Sequence, residues 1–322
     1  MILPPALTPE STIGIVSPSY WLESKIIHKT VSIFIEKGYK IIQGKSVSLK
    51  DGPFSGSPQE RADDIIDMFA NPEIDAIICA RGGYGANRVL PLLDYSIIKA
   101  NPKIFMGYSD ITSFLISITQ KTGLVTFHGP MLTSYKNGLV NYNFDLMESV
   151  LSGNQTSPIL PPKDLPSRIL KQGTAHGPLW GGNMTLLMNR LGTPDQLKTD
   201  GCILFIEDID EYLYSLDRML VHMRTAGMFD KILGLIIGEL VDVKDEKIPF
   251  GKTTDEIILN VCDDLDIPIM ANFPCGHGKY QATLPISLPV RLELDERKVE
   301  LTLLETSINY DFKYRMGKEL NG

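Results

Sequence analysis

Short apolar runs alternate with amphipathic stretches along the first half of the chain. The runs have the length of buried strands, and the stretches between them repeat apolar residues at the spacing of one helical face. This alternation is typical of β-α units around a mostly parallel sheet. The predicted strands are residues 12–16, 39–42, 74–79, 103–106 and 124–127, and the predicted helices are residues 22–37, 58–70 and 110–120.

The second half is patterned differently and ends in alternating apolar and polar residues. We predict strands at residues 203–206 and 232–237, a helix at 213–225, a second helix from about Asn183 after a Gly-rich turn at Gly181-Gly182, and a terminal hairpin of residues 287–294 and 298–304. Residues 152–167 are rich in Pro, Ser, Gly and Asn, which is the composition of a linker. The fold class is therefore α/β, with an N-terminal α/β domain (1–151), a linker (152–168) and a C-terminal β-rich α/β domain (169–322).

Composition narrows the class of protein. Of the 322 residues, 43% are hydrophobic and 22% are charged, as in ordinary globular proteins. The net charge of −8 and the pI near 5.2 disfavour a face that binds nucleic acid by neutralising phosphates. No apolar run approaches the roughly 20 residues that cross a bilayer, and the first residues lack a secretion-signal pattern. We therefore expect a cytoplasmic protein without nucleic-acid or membrane partners.

The cysteines and histidines give no metal-site pattern. Cys79, Cys202, Cys262 and Cys275 are far apart and form no CxxC pair, which favours reduced, buried thiols over a zinc site or a disulfide framework. The chain also lacks an HExxH motif, so a zinc peptidase is disfavoured.

Three segments contain residue types that can carry out hydrolysis. Ser109 stands between a predicted strand and a predicted helix, as in a nucleophile elbow, although an isoleucine replaces the second glycine of G-x-S-x-G. Glu207 and Asp208 follow a predicted strand, at the sheet edge where open α/β folds place ligands. His277 is flanked by glycines in a predicted loop, which would leave its ring accessible.

Each segment taken alone also has an ordinary structural explanation, and that explanation is favoured. A serine or aspartate at a helix start is a common N-cap, acids often lie on solvated loops, and most loop histidines are inert. The turn Arg81-Gly82-Gly83-Tyr84-Gly85 (the glycine turn) matches neither G-x-G-x-x-G nor a Walker loop. It is a weak candidate for a nucleotide site and a plausible source of one backbone N–H for an oxyanion.

Together these segments resemble the LD-carboxypeptidase family of serine peptidases, which also contains the microcin immunity proteins. The resemblance covers nearly the whole chain, from Ile13-Gly14-Ile15-Val16-Ser17-Pro18-Ser19 to the terminal hairpin. Six short motifs stand in the family's order: Arg81-Gly82-Gly83-Tyr84-Gly85, Gly107-Tyr108-Ser109-Asp110, His128-Gly129-Pro130, Trp180-Gly181-Gly182-Asn183, Phe205-Ile206-Glu207-Asp208 and Gly276-His277-Gly278. Each motif is weak alone, but six in order are specific.

The resemblance implies a site between the two domains. Ser109 would be the nucleophile, His277 the base and Glu207 the acid that orients it, while the backbone N–H groups of Asp110 and Gly83 would form the oxyanion hole. Family members are commonly homodimers, and the chemistry needs no metal or organic cofactor.

The implied reaction is removal of a terminal D-alanine from the diamino acid (diaminopimelate or lysine) of a small muropeptide, as in cell-wall recycling. Arg81 is a candidate for the substrate carboxylate, although it can equally tie the turn, and Trp180 and Asn183 are candidate substrate contacts. Two alternatives stay open: a microcin-immunity-like hydrolase of peptidyl or aminoacyl adenylates, and a non-catalytic α/β protein that binds a ligand at the glycine turn.

Overall fold

The computed structural model describes residues 1–309 of the chain. Up to residue 151 the elements are β1 (Thr12–Val16), α1 (Ser24–Glu36), β2 (Lys40–Gln43), α2 (Pro58–Ala70), β3 (Ala76–Cys79), α3 (Ala86–Val89), α4 (Tyr95–Ala100), β4 (Ile104–Gly107), α5 (Thr112–Thr122), β5 (Phe127–His128) and α6 (Asn141–Leu151). Beyond it follow β6 (Arg168–Lys171), β7 (Gly173–Asn183), α7 (Met184–Asn189), β8 (Ile203–Ile209), α8 (Leu213–Thr225), β9 (Gly234–Val241), α9 (Thr254–Cys262), β10 (Ile269–Phe273), β11 (Leu284–Pro285), β12 (Pro289–Leu294) and β13 (Val299–Leu303). Among the helices of this described part, none has both the length and the apolar character needed to cross a membrane.

These elements form two compact units. The first comprises Met1–Gln155, Thr283–Ile286 and residues 306–309, and the second comprises Thr156–Ala282 and Ser287–Glu305. In the predicted division the chain passes from the first domain to the second once, through the linker of residues 152–168. In the structure the chain also returns to the first unit twice, at Thr283–Ile286 and at residues 306–309. The first return occurs because β11 pairs with β5, a long-range contact that no local pattern reveals. The predicted end of the second domain at residue 322 lies outside the described residues.

The first unit is built on a six-stranded sheet with the order β2-β1-β3-β4-β5-β11. Neighbouring strands from β2 to β5 are parallel, and β11 at the edge is antiparallel. β3 and β4 are buried at every position, as expected for central parallel strands that are covered on both faces. The predicted mostly parallel sheet is thus confirmed.

Local signals set the start of α2. The hydroxyl of Ser57 accepts from the Glu60 N–H, the Glu60 carboxylate bonds back to Ser57, and Pro58 occupies the first turn, where it removes no helical hydrogen bond. The predicted helix 58–70 is confirmed, because capping box, proline and apolar spacing all indicate the same start.

The second unit contains a mixed sheet with the order β13-β12-β7-β8-β9-β10-β6. The four strands β7 to β10 are parallel, while β12, β13 and β6 run antiparallel to their neighbours. α8 has the predicted bounds, and β12 and β13 form the predicted hairpin. The mixed sheet agrees with the predicted β-rich α/β domain.

One local prediction in this unit was wrong. Gly181 and Gly182 lie inside β7 and not in a turn, paired with Phe205 and Ile206 of β8. The reason is the close approach of the two strands: a Cβ on Gly181 would stand 1.8 Å from the carbonyl oxygen of Phe205. Here glycine marks a strand with no room for a side chain, a use of glycine that looks like a turn in sequence.

Candidate active site

Ser109 lies where β4 ends and the path into α5 begins. A 3-10 turn at Ser109–Ile111 follows the extended Tyr108 and continues into the helix. The backbone of Ser109 has a φ of 63°, a left-handed conformation that costs a residue with a side chain about 1–2 kcal/mol. A strained serine at a strand-to-helix turn is the local geometry of a nucleophile elbow. The predicted local structure is confirmed, and the nucleophilic role stays a prediction.

The glycine turn packs directly against Ser109. A Cβ built on Gly82 would stand 2.9 Å from the Cβ of Ser109, 3.1 Å from its Oγ and 3.2 Å from the backbone nitrogen of Asp110. Only glycine allows this approach, because ordinary van der Waals contact begins at 3.4 Å. The next residue, Gly83, has a φ of 121°, which also favours glycine. The turn therefore brings backbone groups beside the serine oxygen; that they form an oxyanion hole, as the family resemblance implies, stays a prediction.

The side chain of Asp110 is occupied within the first unit. Its carboxylate is buried, and its Oδ2 accepts hydrogen bonds from the Ser19 hydroxyl at 2.5 Å and the Ala86 N–H at 3.0 Å. Burial raises the pKa of Asp110, and these hydrogen bonds and the charge of Arg61 oppose the rise. Its carboxylate is thus structural, which leaves the predicted oxyanion role to the backbone N–H.

Arg81 ties the glycine turn to the loop after β1. Its Nη1 donates to the carbonyl of Trp21 at 3.3 Å, and its guanidinium lies 5.6 Å from the centre of the Tyr20 ring. Within residues 1–309 it has no acidic partner in ion-pair range. The half-buried guanidinium thus ties the turn, and its charge is not paired with an acid in the described chain, so both predicted roles of Arg81 stay open.

Glu207 lies in the middle of a buried strand. β8 continues past the predicted end at Ile206 because it pairs with β9 as far as Ile209. The pairing shifts register between Ile206 and Asp208, a bulge of the kind that re-aims a side chain. Glu207 is fully buried, with 0% of its surface exposed. A carboxylate in this position needs a polar partner, because burial of an unpaired charge is costly.

His277 supplies that partner. Its Nδ1 lies 2.7 Å from Oε2 of Glu207, and its side chain keeps 14% of its surface exposed. Burial alone would lower the pKa of His277, but the hydrogen bond and charge of Glu207 and the charge of Asp208 outweigh it, so the pKa lies above its ordinary value. The carboxylate fixes the ring orientation and favours the proton on Nδ1, as in an acid-base pair of a hydrolase.

The neighbouring acid, Asp208, has a separate structural role. Its carboxylate accepts from the Thr185 N–H and hydroxyl, both at 2.9 Å, and from the side-chain amide of Asn183 at 3.0 Å. Burial raises the pKa of Asp208, and the charge of Glu207 raises it further. The two acids of one motif therefore have different partners: Glu207 contacts His277, and Asp208 accepts from Thr185 and Asn183.

A second carboxylate beside the histidine loop went unnoticed in the sequence. A Cβ on Gly278 would stand 2.0 Å from Oε2 of Glu239, so the glycine after His277 is required by the Glu239 side chain. Burial raises the pKa of Glu239, and its Oε2 is buried without a hydrogen-bond partner among the described residues. The sequence did contain a signal for this carboxylate, because Glu239 is the one charged residue in the otherwise apolar strand Gly234–Val241.

The two candidate substrate contacts lie on β7. Trp180 is half-buried and pairs with Leu204, while Asn183 pairs with Glu207. Asn183 is the N-cap of α7, where its side-chain oxygen accepts from the Leu186 N–H. It also donates to Asp208, so the amide is already used by the protein. The substrate roles of both residues stay predictions.

The cysteines lie in the core of the described chain. All four cysteines are free and buried, as predicted, and burial raises the pKa of the Cys275 thiol well above its usual value. A thiol with a raised pKa is a poor nucleophile at neutral pH. In residues 1–309, no group of three or more His, Cys, Asp and Glu side chains is arranged to hold a metal ion.

Each unit therefore assembles part of the predicted site. The first brings Ser109 and Asp110 together with the glycine turn, and the second brings His277 onto Glu207. That the serine meets the histidine stays a prediction. A strained serine at a strand end and an oriented histidine, on two α/β units, indicate a hydrolase.

Comparison with known proteins specifies the family. The model of the LD-carboxypeptidase N-terminal domain matches residues 13–129, and that of the LD-carboxypeptidase C-terminal domain matches residues 176–292. The chain belongs to the LD-carboxypeptidase family of peptidases.

Three relatives illustrate the range of this family. A probable murein peptide carboxypeptidase of Bacillus subtilis is 34% identical over 91% of this chain and 92% of its own. The microcin C7 self-immunity protein MccF of Escherichia coli is 32% identical over 84% of this chain and 86% of its own. The crystal structure of muramoyltetrapeptide carboxypeptidase from Oxalobacter formigenes matches with a TM-score of 0.80 and 27% identity, covering 93% of this chain and 99% of that one.

Proposed function

We propose that this protein is a serine carboxypeptidase that removes a terminal D-alanine from the diamino acid of a muropeptide. The observation that carries the proposal is the 2.7 Å contact between Nδ1 of His277 and the fully buried Glu207. A histidine held in this way exchanges protons through Nε2, which is what a catalytic base for a serine requires. The names of the Bacillus subtilis and Oxalobacter formigenes relatives support a murein peptide as substrate.

In the proposed reaction, His277 accepts the hydroxyl proton of Ser109 while the serine oxygen attacks the carbonyl before D-alanine. Glu207 holds the ring and stabilises the imidazolium that forms. The backbone N–H groups of Asp110 and Gly83 donate to the oxyanion, and each such donor is worth about 10²–10³ in rate. His277 then protonates the leaving amine of D-alanine, and water attacks the acyl-enzyme in a second half-reaction. No metal or organic cofactor takes part.

Recognition of a terminal carboxylate needs a cation or several N–H groups. Arg81 supports this role because it is half-buried, held by Tyr20 and Trp21, and without an acidic partner in the described chain. A guanidinium bound to a carboxylate by two parallel hydrogen bonds also fixes the orientation of the substrate. Trp180 and Asn183 are further candidate contacts for the peptide.

Release of D-alanine from a tetrapeptide ending in D-alanine, with diaminopimelate or lysine before it, tests the proposal. Ser109→Ala should lower kcat by at least about 10⁴-fold, because the attacking group is gone. Ser113→Ala is the matched control: it removes a buried hydroxyl one turn further along, which has no hydrogen-bond partner in the described residues. Undiminished turnover in Ser109→Ala, or no D-alanine release by the wild type, would refute the proposal.

Hydrolysis of aminoacyl or peptidyl adenylates is the second candidate. It is favoured by the similarity to MccF, of which one solved structure holds aspartyl sulfamoyl adenosine. Such an activity would need an aromatic platform for the base, and Trp180 is half-buried on β7. Binding of aspartyl sulfamoyl adenosine, compared with D-alanine release from the tetrapeptide, separates the two activities. Labelling of Ser109 by a fluorophosphonate separates both from a non-catalytic binding protein.

Two further expectations accompany the proposal. The enzyme would act in the cytoplasm on peptides returned from the wall, and it would form a homodimer, as is common in this family. Cell fractionation tests the first expectation, and light scattering on the purified protein tests the second.

A further inference from the structure

A cluster of buried polar side chains lies next to Ser109 and is not part of the proposed proton relay. Arg61 of α2 is 1% exposed, Ser19 of the loop after β1 is 0% exposed, and Asp110 is 2% exposed. Full burial of a cation and an anion is costly unless hydrogen bonds compensate it. The hydrogen-bond partners of Arg61 and Asp110 therefore indicate the structural role of these two charges.

Arg61 binds carbonyl groups of two loops. Its Nη1 donates to the carbonyl oxygen of Pro18 at 2.7 Å and to that of Gly85 at 3.4 Å. Its guanidinium also lies 5.0 Å from the centre of the Phe54 ring. Pro18 belongs to the loop after β1 (residues 17–21), and Gly85 ends the glycine turn. One cation thus joins the two segments through their acceptors.

Asp110 binds the neighbouring donors of the same two segments. Its Oδ2 accepts from the hydroxyl of Ser19 at 2.5 Å and from the N–H of Ala86 at 3.0 Å. Ser19 follows Pro18, and Ala86 follows Gly85. Among the described residues Arg61 and Asp110 form no ion pair with each other. Arg61 instead binds Pro18 and Gly85, and Asp110 binds the residue that follows each of them, Ser19 and Ala86.

The segments so joined include the part of the glycine turn that touches Ser109. The Tyr20 N–H donates to the carbonyl of Gly82 at 3.4 Å, so the loop after β1 also supports the turn directly. Gly82 in turn lies against the Cβ and Oγ of Ser109. Because Asp110 is covalently next to Ser109, a shift of this carboxylate changes the distance between the serine and the turn.

We propose that Arg61, Ser19 and Asp110 form a clamp that sets the position of the glycine turn relative to Ser109, and with it the geometry of the oxyanion hole. The inference deepens the proposed function and rests on it. None of the three side chains is assigned a contact with substrate, so they are positioning residues. Small displacements matter here, because a 1 Å misplacement of a catalytic group can lower the rate about 10²-fold.

Arg61→Met and Ser19→Ala test the clamp, with Lys103→Met as the matched control. Lys103 is a buried cation of the same unit, 7% exposed, whose Nζ donates to the backbone carbonyls of Met68 and Asn71. It precedes β4 at the opposite end from Ser109, so its removal costs packing and two hydrogen bonds without touching the glycine turn. Ser19→Ala removes a single hydroxyl and keeps the assay informative if Arg61→Met does not fold.

The measurements are kcat and KM for D-alanine release and the midpoint of thermal unfolding. We expect Arg61→Met to lower kcat about 10- to 100-fold and Ser19→Ala to lower it several-fold, with KM little changed, because the clamp acts on transition-state geometry. Lys103→Met should lower the unfolding midpoint and leave kcat near the wild-type value. The double variant Arg61→Met, Ser19→Ala should lower kcat by less than the product of the two single reductions, since both substitutions disrupt the same clamp.

Two results would overturn the clamp. One is full kcat in folded Ser19→Ala and Arg61→Met proteins, and the other is an equal loss of kcat in Lys103→Met, which would make the effect a consequence of lowered stability. Either result leaves the peptidase proposal intact, because wild-type turnover and its loss in Ser109→Ala are measured separately. Absence of wild-type turnover refutes the peptidase activity itself.

Discussion

Replacement of Gly82 by alanine is the smallest change that reaches the serine without altering a polar group. The added methyl would stand 2.9 Å from the Cβ of Ser109 and 3.1 Å from its Oγ, whereas ordinary contact begins at 3.4 Å. Ser109 has little freedom to retreat, because its φ of 63° is already strained and its neighbour Asp110 is bonded to Ser19 and Ala86. Either the turn or the serine must therefore move.

The size of the effect follows from that overlap. Insertion of a methyl into a packed site costs about 1–3 kcal/mol of unfolding free energy. Movement of the serine oxygen or an oxyanion donor by several tenths of an ångström should lower kcat about 4- to 10-fold, given a loss of about 10²-fold per ångström. The loss of kcat should exceed the loss of folded protein, since a decrease of about 1–3 kcal/mol in unfolding free energy leaves a stable domain largely folded.

The assay is D-alanine release by Gly82→Ala, with Gly123→Ala as the control. Gly123 ends α5, has a φ of 79° and has nothing within 4 Å of its added Cβ. Alanine there costs about 1–2 kcal/mol of backbone strain at the far end of the helix that follows Ser109. Gly123→Ala should lose stability and keep wild-type kcat. Wild-type kcat and unfolding midpoint in Gly82→Ala would show that the glycine turn does not constrain the serine.

Two further predictions concern His277. Glu207→Gln removes the charge that raises the pKa of His277 and leaves the burial that lowers it. The acid limb of the pH profile of kcat/KM should therefore move to lower pH, and kcat should fall about 10²–10⁴-fold. An acid limb at the wild-type pH would contradict the assigned cause of the pKa shift. Because the folded-state pKa of His277 lies above its unfolded value of about 6.5, the charged ring stabilises the fold in full below that pH, and this contribution is lost as the pH rises through the folded-state pKa. Urea unfolding of wild type and His277→Gln should show a difference in free energy that shrinks toward alkaline pH, and a difference that grows would reverse the sign argued here.

Sequence patterns predicted those elements whose local signals agree with the fold. α2 and α8 have the predicted bounds: both show apolar spacing of one helical face, and a capping box and a proline mark the start of α2. β7 was missed because local preference and tertiary structure disagree: its glycines favour a turn, and pairing with β8 overrides that preference. The pairing of β11 with β5 was not visible either, since the two residues of β11 carry no local signal of their partner.

The site was predictable to the extent that it depends on local geometry. A serine between a strand and a helix, and acids after a strand, are visible as short patterns, but each pattern alone favoured an ordinary structural explanation. Ser109 and Glu207 were assigned through the resemblance of six motifs in order to the family. What the patterns lack are contacts between residues far apart in sequence. Ser19 and Asp110 are 91 positions apart, and His277 and Glu207 are 70 apart. Such pairs result from the order of strands in each sheet, which a single sequence does not show.

Several energetic costs in this fold lie at or beside the predicted catalytic residues. A strained serine, a buried arginine and aspartate beside it, and a fully buried glutamate under a histidine would each make an ordinary core less stable. The structure keeps the charges and binds each to groups that hold Ser109, the glycine turn or His277. Departures from local consistency of this kind are expected at functional sites, where geometry is maintained at the expense of stability. The same argument makes Arg61 and Ser19 the decisive positions to change, because the hydrogen bonds that they donate within residues 1–309 go to backbone carbonyls and to Asp110.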